Sequence, residues 1–323
     1  MTHRRNDYDV SDSIQTTDVA AVAAEVTRIF NDLYQIPAPE LERAFADASA
    51  LYDGRHPAYH ACDTEYHDLQ HVLDVTLAMA RLMDGYQRAR RGDEAPLGRE
   101  LFIVGALAAL FHDFGYLRSR HDRRHRFGAE YTLTHVSRGA AFLRRYVRDL
   151  GLPAYAAVAG TLVHYTGYER PTETIRLSDT LQRRLGHMLG TADIIAQMSD
   201  RCYLEKCRDR LYPEFVLGGL AGRRLAGKRT LPLFQSGDDL VQRTPVFYQG
   251  ASRRLELQLA RAYEYARAHF GGENPYLSEM RKNIDHAQRV VQLPSIGEGL
   301  RRQPPHTLAA DAEPYPKDLL AFT

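Results

Sequence analysis

The chain reads as an all-α protein with one helical domain, and three observations lead there. Apolar residues recur at spacings of three and four through most of its length, the period of an amphipathic helix. No segment shows the strict apolar/polar alternation of a half-buried strand. No repeat of fixed period appears, so a stacked solenoid is not expected. At 323 residues the chain is long enough to bury a sizeable core.

Residues 1–17 are polar and are read as a flexible tail, and residues 18–293 as the helical domain. Two helices are expected between Asp18 and Leu51, from the runs Val19, Ala20, Val22, Ala23, Val26, Ile29, Phe30 and Leu41, Ala44, Phe45, Ala48, Leu51. Residues 52–64 are irregular. Asp68–Arg90 is helical, Gly92–Gly98 a break, and Arg99–His112 a strongly apolar helix. A loop rich in His and Arg, Gly115–Gly128, precedes helices near 130–149 and 154–165. After a loop at 165–174, helices follow near 176–196 and 199–216, the second with alternating charges on one face. Gly218–Thr244, with five glycines and a proline, reads as an irregular insertion. Long helices return near 246–270 and 276–292. From Pro294 the chain is Pro-rich and is expected as extended or docked coil.

Lys+Arg 42 against Asp+Glu 41 leaves a net charge of +1, so no global field points to nucleic acid or an anionic membrane. Lysine occurs only at 206, 228, 282 and 317; the rest of the positive charge is arginine, which suits bidentate phosphate or carboxylate contacts. Three cysteines, Cys62, Cys202 and Cys207, cannot pair completely and form no CxxC, which favours a reducing compartment. The N-terminus lacks the apolar stretch of a signal peptide, and no run approaches the ~18 apolar residues of a membrane span. The expectation is a soluble, cytoplasmic protein.

His112–Asp113, closing the apolar run Leu101–Phe111, is the most informative feature. An adjacent imidazole and carboxylate at the end of a buried helix must be paired or metallated to offset desolvation. His67 and His71 are four apart and share a helix face, about 6 Å from each other. One imidazole can then sit on a metal while the other donates a proton across the same pocket. Asp74, three beyond His71, is placed to orient that ring. With His135, His164 and Asp193 downstream, the mixture of nitrogen and oxygen donors suits hard and borderline divalent metals. Other candidates fit less well. Gly222–Thr230 resembles a phosphate loop, but Arg229 occupies the Ser/Thr position and no apolar strand precedes it. His121 and His125 lie among Arg118, Arg120, Arg123, Arg124 and Arg126, a solvated loop or one that faces an anionic substrate.

These motifs resemble a known family. Tyr66-His-Asp-Leu-Gln-His-Val-Leu-Asp-Val75 resembles the signature of cyclic-nucleotide phosphodiesterases, and Ala109-Leu-Phe-His-Asp-Phe-Gly-Tyr116 the His-Asp core of the HD-domain metal-dependent phosphohydrolases. Gly190-Thr-Ala-Asp193-Ile-Ile resembles their isolated late aspartate. Asn274–Asn283 resembles the closing helix of the phosphodiesterase fold, so the similarity spans about 60–290. The resemblance implies a single HD-domain, phosphodiesterase-like helical bundle. It implies His71, His112, Asp113 and Asp193 as ligands of a first metal, with Asp113 bridging to a second, and His67 as general acid. It further implies His135 and His164 as ligands of the second metal, as in bacterial HD proteins, with Glu130 as an outer acceptor. Asp68 and Tyr116 depart from the cyclic-nucleotide enzymes, which carry Asn and His there. Gln249, in Phe247-Tyr-Gln-Gly, is the counterpart of their purine-reading glutamine.

The function so implied is hydrolysis of a nucleotide-like phosphate ester by a two-metal site, using two divalent ions drawn from Mg, Mn, Zn, Fe or Co. A small-molecule phosphate ester is the expected partner, with neither specific nucleic-acid binding nor a membrane. HD-fold di-iron oxygenases share this ligand pattern, and spacing does not separate the two chemistries. A degenerate module that only binds a nucleotide or a partner is the non-enzymatic alternative.

Overall fold

The computed structural model describes residues 4–221, 233–310 and 312–316, and among these the protein is all-α. The helices in chain order are α1 Val19–Tyr34, α2 Pro39–Tyr52, α3 Leu69–Ala89, α4 Arg99–Leu110, α5 His135–Asp149, α6 Ala156–Leu162, α7 Thr180–Ser199, α8 Tyr203–Lys206, α9 Tyr212–Leu217, α10 Gly237–Leu257, α11 Tyr265–His269, α12 Pro275–Val290 and α13 Ile296–Gly299. Isolated bridges join Tyr8 to Gln15, Tyr59 to Ser119 and Ala221 to Phe234, and no strand forms among the described residues. None of their helices is long and apolar enough to cross a membrane. The three cysteines are free and buried. The phosphate-loop-like stretch 222–230 lies outside the described residues.

Helix α3 is the axis of the fold. From Gln70 to Tyr86 every residue except Asp74 is buried, which demands neighbours on all sides. It has them in α1, α4, α7 and α11. Helix α4 is buried from Phe102 to Leu110. A helix with no polar face must run through the core, so its C-terminal end carries His112 and Asp113 into the interior. Asp68 starts α3, its carboxylate accepting the N–H of His71 at 2.8 Å. The residue that departs from the phosphodiesterase signature thus serves as an N-cap, a role for which Asp and Asn are equally suited.

Two glycines bring α5 against the end of α4. A Cβ on Gly115 would stand 1.9 Å from the carbonyl oxygen of His135, and one on Gly139 would stand 2.8 Å from that of His112. Only a missing side chain allows backbones to approach so closely.

The architecture differs from the sequence reading in four places. The expected insertion 218–244 turns helical from Gly237, because Ser236 caps α10 through the N–H of Asp239 at 3.0 Å and Leu240, Val241 and Thr244 are buried. Pro245 sits inside that helix, at the loss of one backbone bond. The single helix expected over 246–270 is broken after Leu257, where Ala260 and Arg261 take left-handed φ values of 50° and 56°. The helix expected over 199–216 is divided by a π-turn at Cys207–Leu211 ahead of Pro213. Finally, residues 4–17 are docked: Asp9 is buried, pairs with the buried Arg81 at 2.7 Å, and accepts the N–H groups of Ser13 and Ile14 at 2.9 and 2.8 Å.

The Pro-rich C-terminal stretch also folds back. Arg210 donates to the carbonyl of Pro305 at 2.6 Å, the Thr307 hydroxyl to Asp68, and Arg126 pairs with Glu313 at 2.6 Å.

Candidate metal centre

Four elements converge on one buried polar site. His71 comes from the first turn of α3, His112 and Asp113 from the turn after α4, Asp193 from the middle of α7, and His135 from the first residue of α5. His112 Nε2 lies 3.3 Å from His71 Nε2 and 3.2 Å from Asp113 Oδ2. His71 Nε2 is 3.3 Å from the same Asp113 oxygen and 3.5 Å from Asp193 Oδ1. Ligand atoms of His71, His112 and Asp193 all lie within 4.8 Å of one another. The other oxygen of Asp113, Oδ1, is 3.6 Å from His135 Nε2. The Asp113 carboxylate therefore has two imidazoles on one side and a third on the other.

The donor set fits a divalent cation. Ligands at ~2.0–2.2 Å from an ion stand roughly 3.0–3.5 Å from each other, close to the 3.2, 3.3 and 3.5 Å that separate the His71, His112, Asp113 and Asp193 atoms named above. His112 Nδ1 donates to the Ala109 carbonyl at 2.7 Å and His135 Nδ1 to that of Thr132 at 2.6 Å. Each bond orients its ring and leaves the Nε2 lone pair for a metal. The facing Nε2 atoms of His71 and His112 need either a shared proton or a cation between them. Without a metal, burial opposes the charge on His112 but the Asp113 carboxylate outweighs it, lifting that imidazole to about 9. His135 moves the other way: burial pushes it below the ordinary histidine value, against the pull of Asp113. Asp113 is held well below the usual carboxylate range, since His112 and His67 overcome its burial.

His67 stands beside this group without joining it. Its Nδ1 is 2.5 Å from Glu214 Oε2, while Oε1 of the same carboxylate accepts the N–H of Tyr66 at 2.6 Å. Burial opposes protonation of His67, but Glu214 and Asp113 outweigh it, so its pKa is raised. Its ring is stacked on Tyr116, centroids 4.4 Å apart, and Tyr116 stacks in turn on His135 at 4.4 Å. Tyr116 is thus a packing plate between the two imidazoles.

Other expected site residues have partners of their own. His164 Nδ1 pairs with Glu169 Oε1 at 3.0 Å and is not within ion-pair distance of Asp113. Asp74, half-buried, stands beside Asp200, Lys206 and Thr16 and makes no hydrogen bond to His71; the desolvation of its carboxylate, with Asp200 adding, pushes it up to about 8 against the pull of Lys206. Being three residues past His71 places it on the same side of α3 but one turn away from the ring it was expected to orient. Glu130 accepts the N–H groups of Arg126 and Phe127 at 2.6 and 2.8 Å, closing the turn before α5 instead of backing a ligand. Gln249 is exposed on α10.

Two groups that contact the site residues were not singled out by the sequence. Glu214 is fully buried, although it belongs to the stretch of alternating charges at 199–216. Gln197, four past Asp193, donates to Asp193 Oδ1 at 3.2 Å and accepts from the Tyr66 hydroxyl at 3.1 Å. The i, i+4 spacing on α7 was a usable signal for Gln197; Glu214 has no local one.

No protein-family model matches the chain, and no match to a curated protein was found.

Proposed function

We propose that the protein is a metal-dependent phosphohydrolase of the HD-domain kind, acting on a nucleotide-like phosphate ester. The observation that carries this reading is the Asp113 carboxylate, flanked by His71 and His112 at one oxygen and His135 at the other, with a Glu214-bound imidazole alongside. His71, His112, Asp113 and Asp193 would hold one divalent ion. Asp113, His135 and His164 would hold the second, the Glu169 contact at His164 Nδ1 leaving its Nε2 as the coordinating atom. Such ions, when bound, supply Lewis-acid stabilisation of phosphoryl charge and a water of lowered pKa.

The chain's own residues supply the rest. The Ala109 and Thr132 carbonyls hold His112 and His135 in the tautomer that presents Nε2. Gln197 steadies the Asp193 carboxylate. Glu214 favours the protonated form of His67 against its burial, so that when water adds to phosphorus and the P–O bond breaks, the leaving oxygen would take its proton from His67.

The experiment is elemental analysis of protein purified without chelator, followed by hydrolysis assays on phosphomonoesters, cyclic nucleotides and dinucleotides. About two divalent ions per chain and turnover of one ester class are expected. Asp113→Ala should lose both ions, and full metal content in that variant would overturn the bridging role.

A further inference from the structure

The loop that leaves the candidate centre is strongly basic and built rather than loose. Residues 118–126 read Arg-Ser-Arg-His-Asp-Arg-Arg-His-Arg, five arginines against one aspartate. The loop begins two residues after Tyr116, whose ring lies on His67 and His135. Ser119 bridges antiparallel to Tyr59, with His60 N–H donating to Arg118 O at 3.0 Å and Arg120 N–H to Ala58 O at 2.9 Å. Asp63 ties both ends of the loop, accepting Arg118 Nε at 3.0 Å and the Gly128 N–H at 2.8 Å. The single aspartate of the run, Asp122, is turned inward on the Arg124 N–H at 2.8 Å and on His125 at 2.9 Å.

This scaffold leaves three guanidinium groups without a carboxylate among the described residues. Arg118 is spent on Asp63 and Arg126 on Glu313. Arg120 touches only the neutral carbonyl of Gly54, at 3.0 Å. Arg123 and Arg124 are exposed, and their side chains make no bond to a described residue. The positive field is felt nearby: burial, then Arg118 and Arg120, hold His60 below the ordinary histidine value. Arg120 lies four residues past Tyr116 and Arg124 eight, so these groups start within roughly 14–28 Å of chain from the ring that stacks on His67 and His135. Guanidinium forks on a fixed backbone match phosphate oxygens, which they bind bidentately.

We propose that Arg120, Arg123 and Arg124 form a binding surface for a run of phosphates, so that the substrate is an ester carrying an oligophosphate. This deepens the phosphohydrolase reading and rests on it for where the scissile bond lies. The anion site itself does not need that reading.

The test uses the full chain in EDTA, so that no metal contributes, and inorganic tripolyphosphate as the probe in calorimetric titration. Wild type should bind, more weakly as salt rises, and an R120Q/R123Q/R124Q variant should bind at least about ten-fold more weakly, since it loses the charge-assisted hydrogen bonds to the phosphate oxygens. An unchanged helical CD spectrum and Tm show that the variant is folded. No binding in wild type, or equal binding in the variant, overturns the proposal. A single-stranded oligonucleotide that binds at lower concentration and is not displaced by tripolyphosphate also overturns it, in favour of a nucleic-acid surface. With metal restored, the variant should raise the KM for an oligophosphate ester more than that for a simple monoester. If tripolyphosphate binds through these arginines but no ester is hydrolysed, the hydrolase reading alone falls.

Discussion

Glu214 determines what His67 can do. A buried carboxylate 2.5 Å from His67 Nδ1 fixes the ring and favours its charged form. In the hydrolase reading His67 must be protonated to act, so its pKa sets the alkaline limb of the pH–rate profile. Glu214→Gln removes the charge while preserving shape. Because that charge raises the His67 pKa, its removal should move the alkaline limb to lower pH; an unmoved limb in a pH profile of kcat/KM would separate Glu214 from the proton donor. His67→Ala should lower turnover by roughly 10²–10⁴, the usual size of a general-acid contribution, and an ester with an acidic leaving group should be partly spared. Metal content measured on the same sample should not change, and its loss would make His67 a ligand.

At the scale of elements, the close passage of the turn after α4 beneath α5 holds His135 to Asp113. Gly115→Ala would force a methyl group against the His135 carbonyl, 1.9 Å away, and the backbones must separate. Overpacking of this kind costs typically 1–3 kcal/mol. The variant should lower the denaturant midpoint and, in the two-metal reading, release the ion that His135 would hold before the one that His71, His112 and Asp193 would hold. Metal titration by calorimetry would read this as one site weakened, and two intact sites would show that the glycine serves packing alone. The start of α3 is a second such point. Asp68→Ala removes the cap on the His71 N–H and should cost ~1 kcal/mol from capping, more if the contacts of Asp68 with Thr307 and Arg210 also count. Chemical denaturation monitored by CD measures it.

Across the whole molecule, the chain ends act as clamps on the helical core. Asp9, 5% exposed, is joined to Arg81 on the axial helix. Burial raises the Asp9 pKa, but Arg81 and local hydrogen bonds overcome it and hold the group at about 2. An unfolded Asp titrates near 3.9. A depressed folded-state pKa stabilises the fold fully above the unfolded value and loses that contribution as pH falls through the folded one. The pair should therefore contribute about 2–3 kcal/mol above pH ~4, vanishing toward pH 2. Asp9→Asn should reduce stability throughout the neutral range and flatten the acid limb of the unfolding curve; an acid limb identical to wild type would show that the clamp does not report on folding.

Local information in the sequence determined the all-α class and the helices α1 to α4 to within a few residues, and it placed His112–Asp113 in the interior. Apolar spacing is a property of neighbours three and four apart, and a His-Asp pair at the end of an apolar helix cannot avoid the interior. Tertiary contact decided the rest. Glu214 meets His67 across 147 residues, so no window of sequence could reveal that its charge is buried and paired. Asp74 had the right spacing, but spacing gives a side of a helix and not the partner that reaches the carboxylate first. The polar ends looked like tails because Asp9 and Thr307 find their partners at sequence separations of 72 and 239. Such ion pairs and hydrogen bonds exist only once the helices have brought distant residues into low dielectric, where they outweigh the preference of polar chain for water.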